Sequence, residues 1–154
     1  MSDAANFLVS EGGIVKRLVD TMMTGETAVL ARVATRADMA SLAEEKQIVP
    51  AVYVVYMGYQ VVEANEGDAM FRHRWIATVA IGNAAGGRDT RQRNLDVGPL
   101  VARVIEALAG FTPAPFHTPL VPGTPPPPYY APAFVYLPVL FTTDAGMCYE
   151  PTYQ

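Results

Sequence analysis

Few side chains in this 154-residue chain are suited to covalent or metal chemistry: one cysteine, Cys148, and two histidines, His73 and His117. A nucleophilic thiol needs an imidazole beside it to take its proton, and neither histidine is close to Cys148 in sequence. A single thiol also closes no internal disulfide and builds no multi-thiolate zinc cage, so Cys148 reads as a bystander. His73 lies between Arg72 and Arg74 in a segment of strand character, where alternation sends it to the face opposite both neighbours. The chain contains no HExxH and no Ser-His-Asp context, and its adjacent carboxylates Glu44-Glu45 read as facing water. The stretch GNAAGGRD at 82–89 follows a strand as a phosphate loop does, but it has neither GxGxxG nor GxxxxGK[ST] spacing and reads as a connection. The expectation is a protein without catalytic, cofactor-binding or metal-binding residues, and not an enzyme.

What remains are groups suited to contact. Arg88, Arg91 and Arg93 stand against Asp89 alone, a local excess of positive charge that either meets an acidic partner or faces water. Nine prolines lie between residues 112 and 132, and residues 107–143 contain no Asp, Glu, Lys or Arg. Proline at that density forbids helix and central strand and favours an extended polyproline arm. Pro119 with Pro122 and Pro125 with Pro128 satisfy PxxP, yet no Arg or Lys flanks them to orient a ligand in an aromatic groove. A free arm would expose Phe111, Phe116, Leu120, Val121, Tyr129 and Tyr130 together, an interaction surface rather than a monomer's surface. It packs either on its own sheet or on a neighbouring subunit. The candidate interface with a second subunit or another partner is therefore Arg88, Arg91, Arg93, Phe116, Leu120, Tyr129 and Tyr130.

The composition is 51% hydrophobic and 17% charged, enough for one domain with its own core. Eleven basic and 15 acidic residues give a net charge of −4, which argues against a general nucleic-acid binder. No basic region precedes an apolar stretch at the start, so no signal peptide is expected. The apolar run within 46–63 contains Pro50, Gly58 and Gln60 and is too short to span a bilayer as a helix.

The elements that must position these groups follow from periodicity. Ile14, Val15, Leu18, Val19 and Met22 have helical spacing, with Gly12-Gly13 separating them from Phe7-Leu8-Val9. Residues 27–36 read as a strand, and Thr35 with Asp38 as a cap opening a short helix to about Lys46. Residues 48–62, apolar on both alternating faces, read as a central strand buried on both sides. They pair through the turn at 63–68 with the strand at 69–82, which contains Trp75. Residues 83–94 read as a mobile loop. The spacing of Val97, Leu100, Val101, Val104, Ile105 and Leu108 predicts a helix over 96–109, with Pro99 in its first turn and Gly110 past its end. A last strand covers 133–143, placed at an edge or bulge by Pro138. The fold class is α+β: a single domain over 1–154, with a mostly antiparallel sheet of about four strands, two or three helices and a proline-rich extended arm at 112–132.

The run IVPAVYVVYMGYQ at 48–60, Arg74-Trp75-Ile76 leading into Ala80-Ile81-Gly82-Asn83-Ala84, Gly98-Pro99-Leu100 opening a helix that closes with Glu106-Ala107-Leu108-Ala109-Gly110-Phe111, and the final FVYLPVLF at 134–141 together resemble the tail terminator proteins of Mu-like, long-tailed bacteriophages. The resemblance covers roughly residues 14–143 and rests on the order of these packing motifs. It implies a virion structural protein, made in the host cytoplasm, that forms a homo-hexameric ring at the head-proximal end of the tail. Such a ring caps the tail tube protein, stops its polymerisation and offers the surface joined by head-completion or neck proteins. DNA passes through it without sequence-specific binding, and no cofactor or membrane is involved. Two other readings remain: a small α+β binding or adaptor protein presenting its proline arm to a partner, and a small ligand-binding or enzymatic domain.

Overall fold

The computed structural model of the chain describes residues 6–26, 28–36, 48–82 and 90–150. The elements are α1 (Ser10–Leu18), continued by a π-helical turn (Val19–Met23), then β1 (Arg32–Thr35), β2 (Ala51–Asn65), β3 (Asp68–Gly82), α2 (Thr90–Leu108), β4 (Val121–Gly123), β5 (Tyr129–Tyr130) and β6 (Phe134–Cys148). Residues 37–47, which take in the expected short helix to about Lys46, and residues 83–89 of the loop expected at 83–94 lie outside the described residues; residues 90–94 are not loop but the first turns of α2, since no Gly or Pro breaks the helix before Gly98.

Ile14, Leu18 and Met22 form one buried stripe of α1 and its π turn, as their spacing demands. The helix begins at Ser10 and runs through Gly12-Gly13 rather than after them. Gly13 is there for clearance: a β-carbon at that position would overlap the carbonyl oxygen of Pro113 and stand 2.9 Å from its carbon.

α2 starts at Thr90, so Pro99 lies inside it and not in its first turn. No helix breaker occurs between Thr90 and Val97, and the proline removes only one ladder bond. Val97, Val104 and Leu108 are buried, while Leu100, Val101 and Ile105 pack half-buried against the same core. Gly110, at φ 82°, ends the helix. The Arg17 Nε donates to the Ala107 carbonyl at 2.9 Å, and its guanidinium lies 5.2 Å from the centre of the Phe111 ring. One side chain thus ties α1 to the negative end of α2.

The sheet runs β1-β2-β3-β6-β4 and is mixed: β1 is parallel to β2, and the other pairings are antiparallel. It has six strands rather than about four. The two extra strands come from the proline arm, whose non-proline residues recover enough donors to pair with β6. β3 occupies one side of β6 along its whole length, so β4 and β5 share the other side. β6 is therefore interior, a correction to the edge position expected from Pro138. Pro138 sits between the residues that pair with β4 and those that pair with β5, where the arm consists of Thr124 and four prolines and a missing donor costs nothing to the ladder. The proline arm lies along its own sheet.

One sheet face, with Val52, Val54, Trp75, Ala77, Val79, Val135, Val139 and Phe141, closes the core under α1 and α2. Burying each of the Val and Phe side chains among them contributes about 1.5–3 kcal/mol relative to exposure.

The expected hairpin is present, with Glu66-Gly67 as its turn and Gly67 at φ 105°. The expectation that 48–62 is buried on both sides holds only for Ala51–Val54, where β1 flanks β2. Register shifts after Tyr56, at Gly58 (φ 92°), and after Val61 bend the strand away from the core.

Candidate assembly surfaces

The arm is built onto the body by a sequence of specific contacts. After α2, Gly110 N donates to the Leu120 carbonyl at 2.8 Å and Leu120 N to the Phe111 carbonyl at 2.9 Å. Leu120 is 1% exposed and belongs to the subunit's own core. It is therefore not on the interface it was expected to join: an apolar side chain tied between the end of α2 and β6 has no free face. Thr118 N donates to the Asp144 carbonyl at 2.9 Å, the buried Thr143 hydroxyl donates to the Thr118 carbonyl at 2.6 Å, and Asp144 N donates to the Thr118 hydroxyl at 2.8 Å. His117 bridges to Ala145 in the antiparallel sense.

Between these anchors Phe116 is pushed into the left-handed region, φ 62°, and is 78% exposed. A bulky residue held there is unusual. Tyr129 and Tyr130 are 64% and 61% exposed, with the Tyr129 ring 5.9 Å from that of Tyr136. Phe116 thus stands apart from the two tyrosines, while Val121, Tyr129 and Tyr130 line the outer margin of the arm. Pro122 of the first PxxP pairs with Phe141, so that motif is part of the sheet rather than a free ligand. Arg91 and Arg93 fall in the first turns of α2; Arg88 and the side chains of Arg91 and Arg93 lie outside the described residues.

Sequence reasoning missed an aromatic cluster built around two buried histidines. The rings of His73 and His117 stack, 6.0 Å apart and inclined by 29°. The Nδ1 of His73 is 2.9 Å from the Tyr56 hydroxyl, and the Nδ1 of His117 donates to the Pro115 carbonyl at 2.9 Å. The Nε2 atoms of both, and Nε1 of Trp75, are buried with no hydrogen-bond partner. Phe7 closes the cluster, 4.9 Å from His73 and 5.1 Å from Tyr59. Burial, with a smaller contribution from a positive charge on His117 and partial opposition from Asp144, pushes the His73 pKa below its ordinary value. Burial raises the Tyr56 hydroxyl, which stays protonated at neutral pH. Forty-four positions separate the histidines, and no local spacing announces the pair; the alternation that turned His73 away from Arg72 and Arg74 was the one available signal.

On the opposite face Arg72 grips Asp144 through two bonds of 2.9 and 3.0 Å. Among the described residues no three His, Cys, Asp or Glu side chains are grouped to hold a metal. No described helix is long and apolar enough to cross a membrane. Cys148 is exposed and free.

These surfaces fit contact: a six-stranded sheet, a charge-free arm paired along it, and aromatic side chains held outward. Comparison with individual curated proteins finds no match. A family model described as phage tail terminator protein matches residues 14–150, from the buried stripe of α1 to the end of β6, and the chain belongs to that family.

Proposed function

We propose that the chain forms a homo-hexameric ring on the head-proximal end of the phage tail tube, halts tube polymerisation there and presents the surface to which the filled head is joined. Family membership over residues 14–150 carries this reading; the family is one of structural tail proteins and supports placement in the virion tail. Phe116, Tyr129 and Tyr130, exposed and held by a fixed backbone, are the apolar contacts of the assembled subunit. Arg88, Arg91 and Arg93 supply steering toward an acidic tube or neck surface. The net charge of −4 per subunit, repeated around a ring, disfavours retention of DNA phosphates and lets the genome slide through.

The test is removal of the gene. Tails are expected to lose length control or to fail to accept heads while head filling proceeds, because capping and joining follow the building of each part. Tails of normal length bearing heads would refute the reading. Negative-stain imaging of the purified protein, alone and mixed with tail tubes, is expected to show rings and ring-capped tube ends.

A further inference from the structure

The sheet has a second feature that one subunit leaves incomplete. β1 covers β2 only from Ala51 to Val54, so residues 55–65 form an outer edge with no paired strand among the described residues. At about 3.3 Å per residue this edge is roughly 35 Å long. Met57, Tyr59, Val61 and Val62 are each 46–55% exposed along it, and Glu63 is its one charged residue. A long, apolar, nearly uncharged edge is what soluble proteins avoid unless something pairs with it.

The opposite margin of the same sheet is the arm, residues 121–130, exposed throughout and without charge. It runs antiparallel to β6, which is antiparallel to β3, itself antiparallel to β2. A second copy set beside the first in the same orientation therefore brings its β2 antiparallel to the first copy's arm. The arm's four consecutive prolines carry carbonyls and no N–H, while the β2 edge contains no proline from 55 to 65 and offers donors.

We propose that residues 55–65 of β2 form a subunit seam that receives the arm, residues 121–130, of a second copy of this chain, head to tail. The proposal rests on the ring reading above and names its joint. A two-fold β2-to-β2 contact would cover one edge and leave the arm's apolar side chains in water; the head-to-tail contact covers both and propagates into a ring. The free part of β2 lies level with β6 residues 140–148, whereas the arm is level with 135–142. Neighbours are thus displaced along the strands, as tilted strands are in a closed barrel.

The experiment uses the full chain in a Cys148→Ser background with Val61→Cys and Thr124→Cys together. Mild oxidation is expected to give a ladder of linked oligomers ending at the ring, with neither cysteine alone giving any. Dimers from Val61→Cys alone, or its linkage to tube protein instead of a second copy, would overturn the seam. Separately, Val61→Lys and Tyr130→Glu are each expected to raise the concentration for half-assembly at least tenfold, with an unchanged unfolding midpoint. Rings of both variants at the wild-type concentration overturn the seam and leave the ring reading standing. A wild-type chain that stays monomeric alone and on tubes overturns both.

Discussion

Gly12 and Gly13 are neighbours in α1, and the structure predicts opposite outcomes for the same substitution at the two. Nothing lies within 4 Å of a β-carbon at Gly12, whereas one at Gly13 overlaps the Pro113 carbonyl oxygen. In both positions alanine gains about 0.8–1 kcal/mol of helix propensity. At Gly12 that gain stands alone, and Gly12→Ala stabilises by somewhat less than 1 kcal/mol. At Gly13 the clash is with backbone on the segment that anchors the arm, so no side chain can swing aside. Overpacking of this kind costs roughly 1–3 kcal/mol, which offsets the propensity gain and leaves Gly13→Ala destabilised by up to about 2 kcal/mol. The gap between the variants is then the overpacking cost itself, roughly 1–3 kcal/mol, or about 2–12 °C in Tm for a domain of this size. Thermal melts of both variants at one pH and concentration read it directly. Equal midpoints, or a more stable Gly13→Ala, would refute the close packing of α1 on the start of the arm.

Leu120→Ala is expected to lower the stability of the isolated subunit by about 2–5 kcal/mol, measured by urea unfolding, whereas Tyr130→Ala changes it by less than about 0.5 kcal/mol; the reverse order would return Leu120 to the surface. Thr143→Val leaves the Thr118 carbonyl without its donor and should cost about 1–3 kcal/mol, with faster amide exchange at 117–120. The depressed His73 pKa means that the unfolded chain binds the proton more readily than the folded one. Stability is therefore full above the unfolded value near 6.5 and falls as pH drops below it; urea midpoints from pH 7.5 to 5 should show this slope, flattened in His73→Phe. In the proposed steering role, alanine at Arg88, Arg91 and Arg93 together is expected to remove rim contacts worth roughly 0.2–1 kcal/mol each, repeated at every subunit of the proposed ring; head-joining in the mutant phage should fall, and unchanged head-bearing tails would dismiss the basic cluster.

The sequence was most readable where periodicity is long and uninterrupted. Val97 to Leu108 announced α2, and the alternating runs either side of Glu66-Gly67 announced the hairpin. Its limits have physical causes. The prolines of the arm argued against strands, yet Val121, Gly123, Tyr129 and Tyr130 pair with β6, because an outer strand needs donors on one side only. The apolar character of 55–62 suggested burial, but an edge reserved for a partner has the same composition as a core strand. Leu120 looked like its exposed neighbours until the turn at Gly110 folded it inward. The stacked histidines depend on the arm crossing β6 at Ala145, a long-range meeting that local spacing does not encode.

The proposed ending of tail-tube growth is tested most directly by adding the purified protein to tube protein polymerising in vitro and following tube length by electron microscopy. Elongation is expected to stop, with a ring visible at one end of each arrested tube and a final length set by the time of addition. Tubes that continue to lengthen at the rate of the untreated sample, with bare ends, would contradict it.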